Sequence, residues 1–156
     1  MAISICALVP IVAGLGKSLW RDEAWVANSV RSATLRQVLY YDHWLQSSPP
    51  LFLLLARWTV QALGTANWAF RVVPFAAYLV AALLWWILVH RLFSRWPAIF
   101  AWTLFVLNAT AVLYARQMKQ YCSDLATSAA VMLVFVLYLE RARRRSMGAC
   151  NGGGDI

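Results

Sequence analysis

Two adjacent carboxylates, Asp22 and Glu23, follow the first apolar segment of the chain. Adjacent carboxylates suit three uses: a general base that takes a proton from an attacking group, a metal ligand, or the solvation of a polar loop. Trp20 and Trp25 flank the pair, and indole rings at a membrane surface hold the backbone that carries them at a defined depth. We therefore treat Asp22 and Glu23 as candidate catalytic residues, with the solvated loop as the alternative.

A second polar cluster lies between two later apolar segments. Arg116, Gln120 and Asp124 recur at every fourth position, which predicts one face of a helix, and Lys119 lies one position away. An aspartate inside a span costs about 2.5 to 3.5 kcal/mol, so a retained one usually pairs with a cation or has a function. Arg116 and Lys119 could hold a lipid phosphate while Asp124 orients a hydroxyl or the cations; the alternative is an Arg116–Asp124 pair that ends the helix. Arg71, directly before another span, could reach the same headgroup layer.

The composition indicates an integral membrane protein. Hydrophobic residues make up 62% of the 156 residues and charged ones 13%, whereas soluble domains carry about 25% charged residues. The net charge of +8 comes from basic residues beside apolar segments, which favours membrane orientation and lipid phosphate over nucleic acid. Cys6, Cys122 and Cys150 are far apart, and they predict neither a disulfide framework nor a zinc site.

The hydropathy pattern predicts an all-α bundle of about four membrane spans, at residues 1–20, 72–90, 97–115 and 121–139. For the first segment a cleaved signal peptide is the alternative, although the cationic start of such peptides is missing. Asn108 opens a sequence with the form of a glycosylation acceptor, but it lies inside a predicted span, so we interpret it as a hydrogen-bonded packing residue. The glycine-rich segment 146–156 is predicted to be a disordered tail.

The apolar segment 51–64 decides the predicted topology, because it is shorter than a span. Its apolar side chains share one helical face opposite Arg57 and Gln61, which predicts a juxtamembrane helix in the interface: Leu51, Leu54, Leu55, Trp58 and Ala62. If this helix does not cross, the basic residues at 91–95 and 141–145 share one side of the membrane. Asp22 and the segment 116–124 then share the other side, an arrangement that leaves both basic loops cytoplasmic, as is usual.

Several short motifs occur in the same order as in the N-terminal portion of the GT-C superfamily: Asp22-Glu23, Ser48-Pro49-Pro50-Leu51, Gly64 with Trp68 to Pro74, Arg91-Leu92-Phe93, and Tyr114 to Tyr121. The chain resembles these polytopic glycosyltransferases over about residues 1–145. The dolichyl-phosphate-mannose protein mannosyltransferase and aminoarabinose lipid A transferase types are the most similar. Because relatives have many more spans and usually a soluble C-terminal domain, we expect residues 1–145 to be an incomplete transmembrane module.

The resemblance implies inverting transfer of a hexose or pentose from a polyprenyl-phosphate donor to an acceptor glycan, lipid or protein on the extracytoplasmic side. The family's acidic residue that acts on the acceptor matches Asp22, with Glu23 beside it. The family's phosphate-contacting basic residues match Arg116 and Lys119, and its second aspartate matches Asp124. The predicted substrate-binding set is completed by two further residues in the matching motifs: Arg71 and Tyr121. One contact is lost, since Ser48 replaces the His that relatives often have before the paired prolines.

Other properties follow less directly. The resemblance favours the plasma membrane of a bacterium over the endoplasmic reticulum. No metal site is predicted, and a divalent cation stays open as a cofactor. The alternative functions are a non-catalytic membrane subunit or lipid-phosphate-binding partner with the same cationic pocket, and a transporter. Against a transporter, the predicted spans carry few ionisable groups beyond Asp124.

Overall fold

The computed structural model describes residues 2–31, 34–39 and 48–151. Within these ranges every regular element is helical, which confirms the all-α prediction there: α1 (Ala2–Leu15), α2 (Arg21–Arg31), α3 (Leu35–Leu39), α4 (Pro50–Leu63), a 3₁₀ turn (Ala69–Arg71), α5 (Val72–Leu92), α6 (Arg95–Val106), α7 (Ala109–Ala115) and α8 (Tyr121–Asn151). α8 continues to Asn151, so residues 146–151, the first part of the segment predicted to be a disordered tail, are helical in the structure. The last five residues of that predicted tail lie outside the described ranges.

Two of the described helical segments are long and apolar enough to cross a membrane, at Ala69–Leu92 and Tyr121–Arg145. A third span results if α6 and α7 are taken together, although they are bent by 51° at the break between them. The first predicted span forms the 14-residue helix α1, with Pro10 inside it. Of the predicted spans, two are therefore confirmed by length and composition, and a third if the bent pair crosses as one unit.

Asn108 begins α7 after the bend. Its side-chain Oδ1 accepts a hydrogen bond from the Ala111 N–H at 3.0 Å, and such an N-cap satisfies a backbone donor that the first turn of a helix leaves unpaired. Asn108 is thus hydrogen-bonded, but to its own helix. The chain turns again over residues 116–120, hereafter the junction turn. Because α7 ends at Ala115 and α8 begins at Tyr121, the prediction that one helical face carries Arg116 and Asp124 is wrong.

α5 and α8 pack closely along each other, and the chain returns from the end of α5 to the start of α8 through α6 and α7. At one end, Arg71 precedes α5 and the junction turn precedes α8. At the other end, Arg91 forms an ion pair of 3.0 Å with Glu140. This pair and a second one, described below, between Asp22 and Lys119 bring polar segments together at two ends of the helices; their sides of a membrane stay a prediction.

The segment before α5 has an apolar core of its own. α2 and α4 bury side chains against each other, the start of α5 and the junction turn: Val26, Ala27, Val30, Val38, Phe52, Leu53, Ala56, Val60, Phe70, Val73 and Met118. The apolar stripe predicted for α4, which contains Leu51, Leu55 and Trp58, is a different face and is exposed. α4 therefore has one apolar face covered by protein and a second one open, and its position at a membrane interface stays a prediction.

Candidate functional site

Glu23 is buried and binds two backbone N–H groups and the side chain of Arg71. The Trp20 N–H donates to Glu23 Oε2 at 2.9 Å, as expected when a glutamate at the third helical position reaches back to the residue that precedes the helix. The Met118 N–H donates to Glu23 Oε1 at 2.6 Å and so attaches the junction turn to α2. Arg71 pairs with Glu23 at 3.0 Å, and both side chains are only 2–3% exposed. The carboxylate of Glu23 is therefore engaged in holding the fold together.

Arg71 closes the end of α1. The last carbonyl groups of a helix have no intrahelical partner and carry partial negative charge, so a cation is stabilising there. The guanidinium group of Arg71 makes five hydrogen bonds. Nη1 donates to the carbonyl oxygens of Gly14 (2.8 Å), Leu15 (3.0 Å) and Lys17 (2.9 Å). Nη2 donates to the carbonyl oxygen of Ser18 (3.1 Å) and to Glu23. Only Nε of this buried side chain has no partner among the described residues.

The other carboxylate of the pair, Asp22, faces outward. Lys119 Nζ lies 3.2 Å from Asp22 Oδ2, and these side chains are 27% and 67% exposed. Ser48 Oγ donates to Gln120 Oε1 at 3.3 Å, which brings the proline motif to the same turn. Lys119 Nζ also lies 5.8 Å from the centroid of the Tyr121 ring. The structure thus brings Asp22 to Lys119, which lies 97 residues away in the sequence and two residues before Tyr121.

A cationic cleft of about 170 Å³ lies between α1, α2 and the junction turn. Lys17, Arg71 and Arg116 line it, with Glu23 as its one carboxylate. Arg116 is half-buried, and within the described ranges its side chain makes no hydrogen bond or ion pair. α1 can approach it because Gly14 has no side chain: an added Cβ would lie 2.6 Å from Arg116 Cδ. The cleft therefore carries more positive than negative charge.

Asp124 lies elsewhere, in a groove of about 440 Å³ beside the bend between α6 and α7. Exposed Asp124 and Ser128 line it from α8, and Tyr114 and Tyr121 close one side with ring centroids 4.4 Å apart. The structure therefore separates Asp124 from Arg116, which lines the cationic cleft. Tyr121 lines this groove and also faces Lys119, whose Nζ lies 5.8 Å from its ring centroid.

Sequence reasoning missed the roles that Glu23 and Arg71 have in packing. The spacing of Trp20 and Glu23 matches a helix-capping box, and this signal could have separated Glu23 from Asp22, although Trp20 lacks the side-chain oxygen of the usual motif. Nothing local identifies Arg71 as the cap of α1, because its partners lie more than fifty residues away.

Among the described residues, no group of three or more His, Cys, Asp or Glu side chains is arranged to hold a metal ion. The side chains brought together at this end are instead an exposed carboxylate, a lysine and a partly buried arginine, a set suited to proton removal and anion binding. No protein-family profile, curated protein or solved structure matches the chain.

Proposed function

We propose that the chain is a membrane glycosyltransferase module, which transfers a sugar from a polyprenyl-phosphate donor to an acceptor on the extracytoplasmic side. The observation that carries the proposal is the 3.2 Å contact between Asp22 and Lys119. It joins an exposed carboxylate, able to receive a proton, to the turn that also holds Arg116. An acid and a phosphate-binding group within one small region are what such a transfer needs.

In the proposed reaction, Asp22 removes a proton from the acceptor hydroxyl or amine as that group attacks the anomeric carbon. The bond between the anomeric carbon and the phosphate oxygen breaks, and the polyprenyl phosphate leaves as an anion held by Lys119 and Arg116. A single displacement inverts the anomeric configuration. General-base assistance typically contributes about 10² to 10⁴ in rate, and stabilisation of the leaving anion adds a further electrostatic share.

The free protein pairs Asp22 with Lys119, so the donor must change this contact. A bound phosphate offers Lys119 a second anionic partner, and exchange of Lys119 from Asp22 to the phosphate frees the carboxylate for the acceptor. Exposed ion pairs contribute about 0 to 1 kcal/mol, so this exchange costs little. The proposed general base thus becomes available when the donor is in place.

We assign Glu23 and Arg71 to positioning rather than to the chemistry predicted for them. Glu23 accepts a hydrogen bond from the Met118 N–H at 2.6 Å. Asp22 is the chain neighbour of Glu23, and Lys119 is the chain neighbour of Met118. The buried contact therefore sets the distance between Asp22 and Lys119. Arg71 in turn orients Glu23 through the 3.0 Å ion pair.

Aromatic residues support a membrane-surface location for this end of the molecule. Trp20, Trp58 and Trp68 are exposed there, and tryptophan is enriched at the level of lipid headgroups. The open apolar face of α4 would lie in the interface beside them. A phosphate attached to a membrane-embedded polyprenyl chain lies at this same depth.

The test is sugar transfer by the purified chain in detergent, supplied with polyprenyl-phosphate sugars and a set of acceptors. Asp22→Asn should lower the rate at least a hundredfold, in line with loss of a general base, while donor binding stays within about threefold. Glu140→Gln is the matched control, because Glu140 forms an exposed ion pair at the opposite end. Wild-type turnover by D22N would refute the assignment of Asp22.

A second candidate is a non-catalytic subunit that binds lipid phosphate. It is favoured by the Arg116 side chain in the cationic cleft, which has no partner among the described residues and suits an anion whether or not Asp22 acts as a base. In this case the wild-type chain binds polyprenyl phosphate and transfers no sugar to any acceptor. R116Q should weaken phosphate binding under either proposal, whereas sugar transfer by the wild-type chain, and its loss in D22N, is expected only under the first.

A further inference from the structure

The end of the spans opposite Asp22 is strongly positive. Among the described residues it carries six arginines and one glutamate: Arg91, Arg95, Arg141, Arg143, Arg144, Arg145 and Glu140. The 3.0 Å ion pair between Arg91 and Glu140 brings the loop after α5 to the far end of α8. One carboxylate neutralises one arginine, so a surplus of positive charge remains at this arginine-rich end.

α8 continues as a helix past its apolar segment and through the arginines to Asn151. Arg141, Arg144 and Arg145 therefore share one side of the helix, at spacings of three and four residues. At 1.5 Å per residue, they lie roughly 3 to 9 Å beyond Leu139 along the axis. The headgroup layer on each side of a bilayer is about 5 to 8 Å thick, so the arginines reach across it.

Two aromatic residues mark the depth of this end independently. Trp96 is 77% exposed directly after Arg95, and Tyr138 is 67% exposed one turn before Arg141. Tryptophan and tyrosine are enriched where hydrocarbon meets headgroups. Between this level and the opposite end, exposed Val134 and Phe135 of α8 suit lipid acyl chains.

We propose that the arginine-rich end binds the headgroups of anionic phospholipids. Guanidinium groups form paired hydrogen bonds with phosphate oxygens, and basic clusters directly beyond a span attract anionic lipid, by roughly fivefold in affinity per residue. The neighbouring apolar and aromatic side chains favour a phosphate that belongs to a lipid over one in a nucleic acid. The proposal is independent of sugar transfer, because Asp22 lies at the other end of the spans.

The experiment uses the full chain in an uncharged detergent, where membrane orientation has no influence. Binding of phosphatidylglycerol and phosphatidylcholine with identical acyl chains is measured by native mass spectrometry. The wild-type chain should prefer phosphatidylglycerol. R141Q/R145Q should lower that affinity at least about tenfold, as for the loss of one charge-assisted hydrogen bond, and should lower phosphatidylcholine affinity less, because the choline group cancels the charge of its phosphate. R21Q/R36Q is the control, since it removes the same charge from exposed arginines outside this end.

The wild-type chain supplies a second readout that needs no substitution. Added salt should weaken phosphatidylglycerol binding and leave phosphatidylcholine binding unchanged, because exposed charges are screened. Equal affinity for the two lipids, an equal loss in R21Q/R36Q, or displacement of phosphatidylglycerol by RNA at lower concentration would overturn the proposal. D22N should keep the lipid preference, so failure here and failure of the transferase proposal are told apart.

Discussion

Two ion pairs formed by successive residues of α2 are similar in length, but one is buried and the other is exposed. Glu23–Arg71 spans 3.0 Å with both side chains 2–3% exposed, and Asp22–Lys119 spans 3.2 Å at the protein surface. Removing one partner of a buried pair leaves an uncompensated charge and costs several kcal/mol, whereas an exposed pair contributes about 0 to 1 kcal/mol. The buried pair therefore stabilises the fold, and the exposed pair can be exchanged for a ligand.

The largest effect is expected at the buried pair. Arg71→Met should lower the free energy of unfolding by about 3 to 5 kcal/mol, because Glu23 stays buried without its cation and the carbonyl groups at the end of α1 lose their donor. The measurement is reversible unfolding in mixed micelles. R91M is the control, since it breaks an exposed pair. Equal losses in R71M and R91M would remove the distinction between buried and exposed pairs.

A second substitution tests whether the tight packing of the buried pair extends to the cationic cleft. Gly14→Ala places a Cβ 2.6 Å from Arg116 Cδ, so Arg116 must move, at a cost of about 1 to 3 kcal/mol in stability. The displaced guanidinium should also bind phosphate more weakly, which a titration with polyprenyl phosphate would detect. Gly16→Ala is the matched control, because nothing lies within 4 Å of its Cβ position. Unchanged stability and binding in G14A would mean that the cleft adapts freely.

A substitution at the bend before α7 is expected to change the stability less. α7 leads into the junction turn, which Glu23 attaches to α2. Asn108→Ala removes the N-cap of α7 and should cost about 1 kcal/mol in unfolding free energy. Ser94→Ala is the control, since Ser94 precedes α6 without a side-chain capping bond. If S94A costs as much as N108A, the hydrogen bond of Asn108 to Ala111 contributes nothing.

The smallest change in stability is expected at the exposed pair. Asp22→Asn should change the unfolding free energy by no more than about 1 kcal/mol, even though the same variant is expected to lose sugar transfer. Thermal unfolding of D22N and K119Q beside R71M gives this contrast directly. A loss of several kcal/mol in D22N would show that Asp22 is structural, and would leave the lost activity without a catalytic explanation.

The amino-acid sequence by itself determined the helical class, the apolar segments and the separation of charge between two ends. These features depend on the composition and periodicity of residues that are neighbours in the sequence, so they can be predicted without the tertiary structure. The placement of Asp22 and of the segment 116–124 at one end was also predicted, on the condition that the segment 51–64 does not cross the membrane. The same count placed residues 91–95 and 141–145 at the other end, and the structure adds the ion pair between Arg91 and Glu140 there.

Only the tertiary structure decided which carboxylate is buried and which is exposed. Successive residues of α2 differ by about 100° around the helix axis, and the side that is covered depends on Arg71 and Met118, which are 48 and 95 residues away from Glu23. The break between α7 and α8 likewise separated Arg116 from Asp124, because a turn interrupts the four-residue spacing. Spacing along the chain predicts a shared face only while one helix continues, and contacts between distant segments decide where it ends.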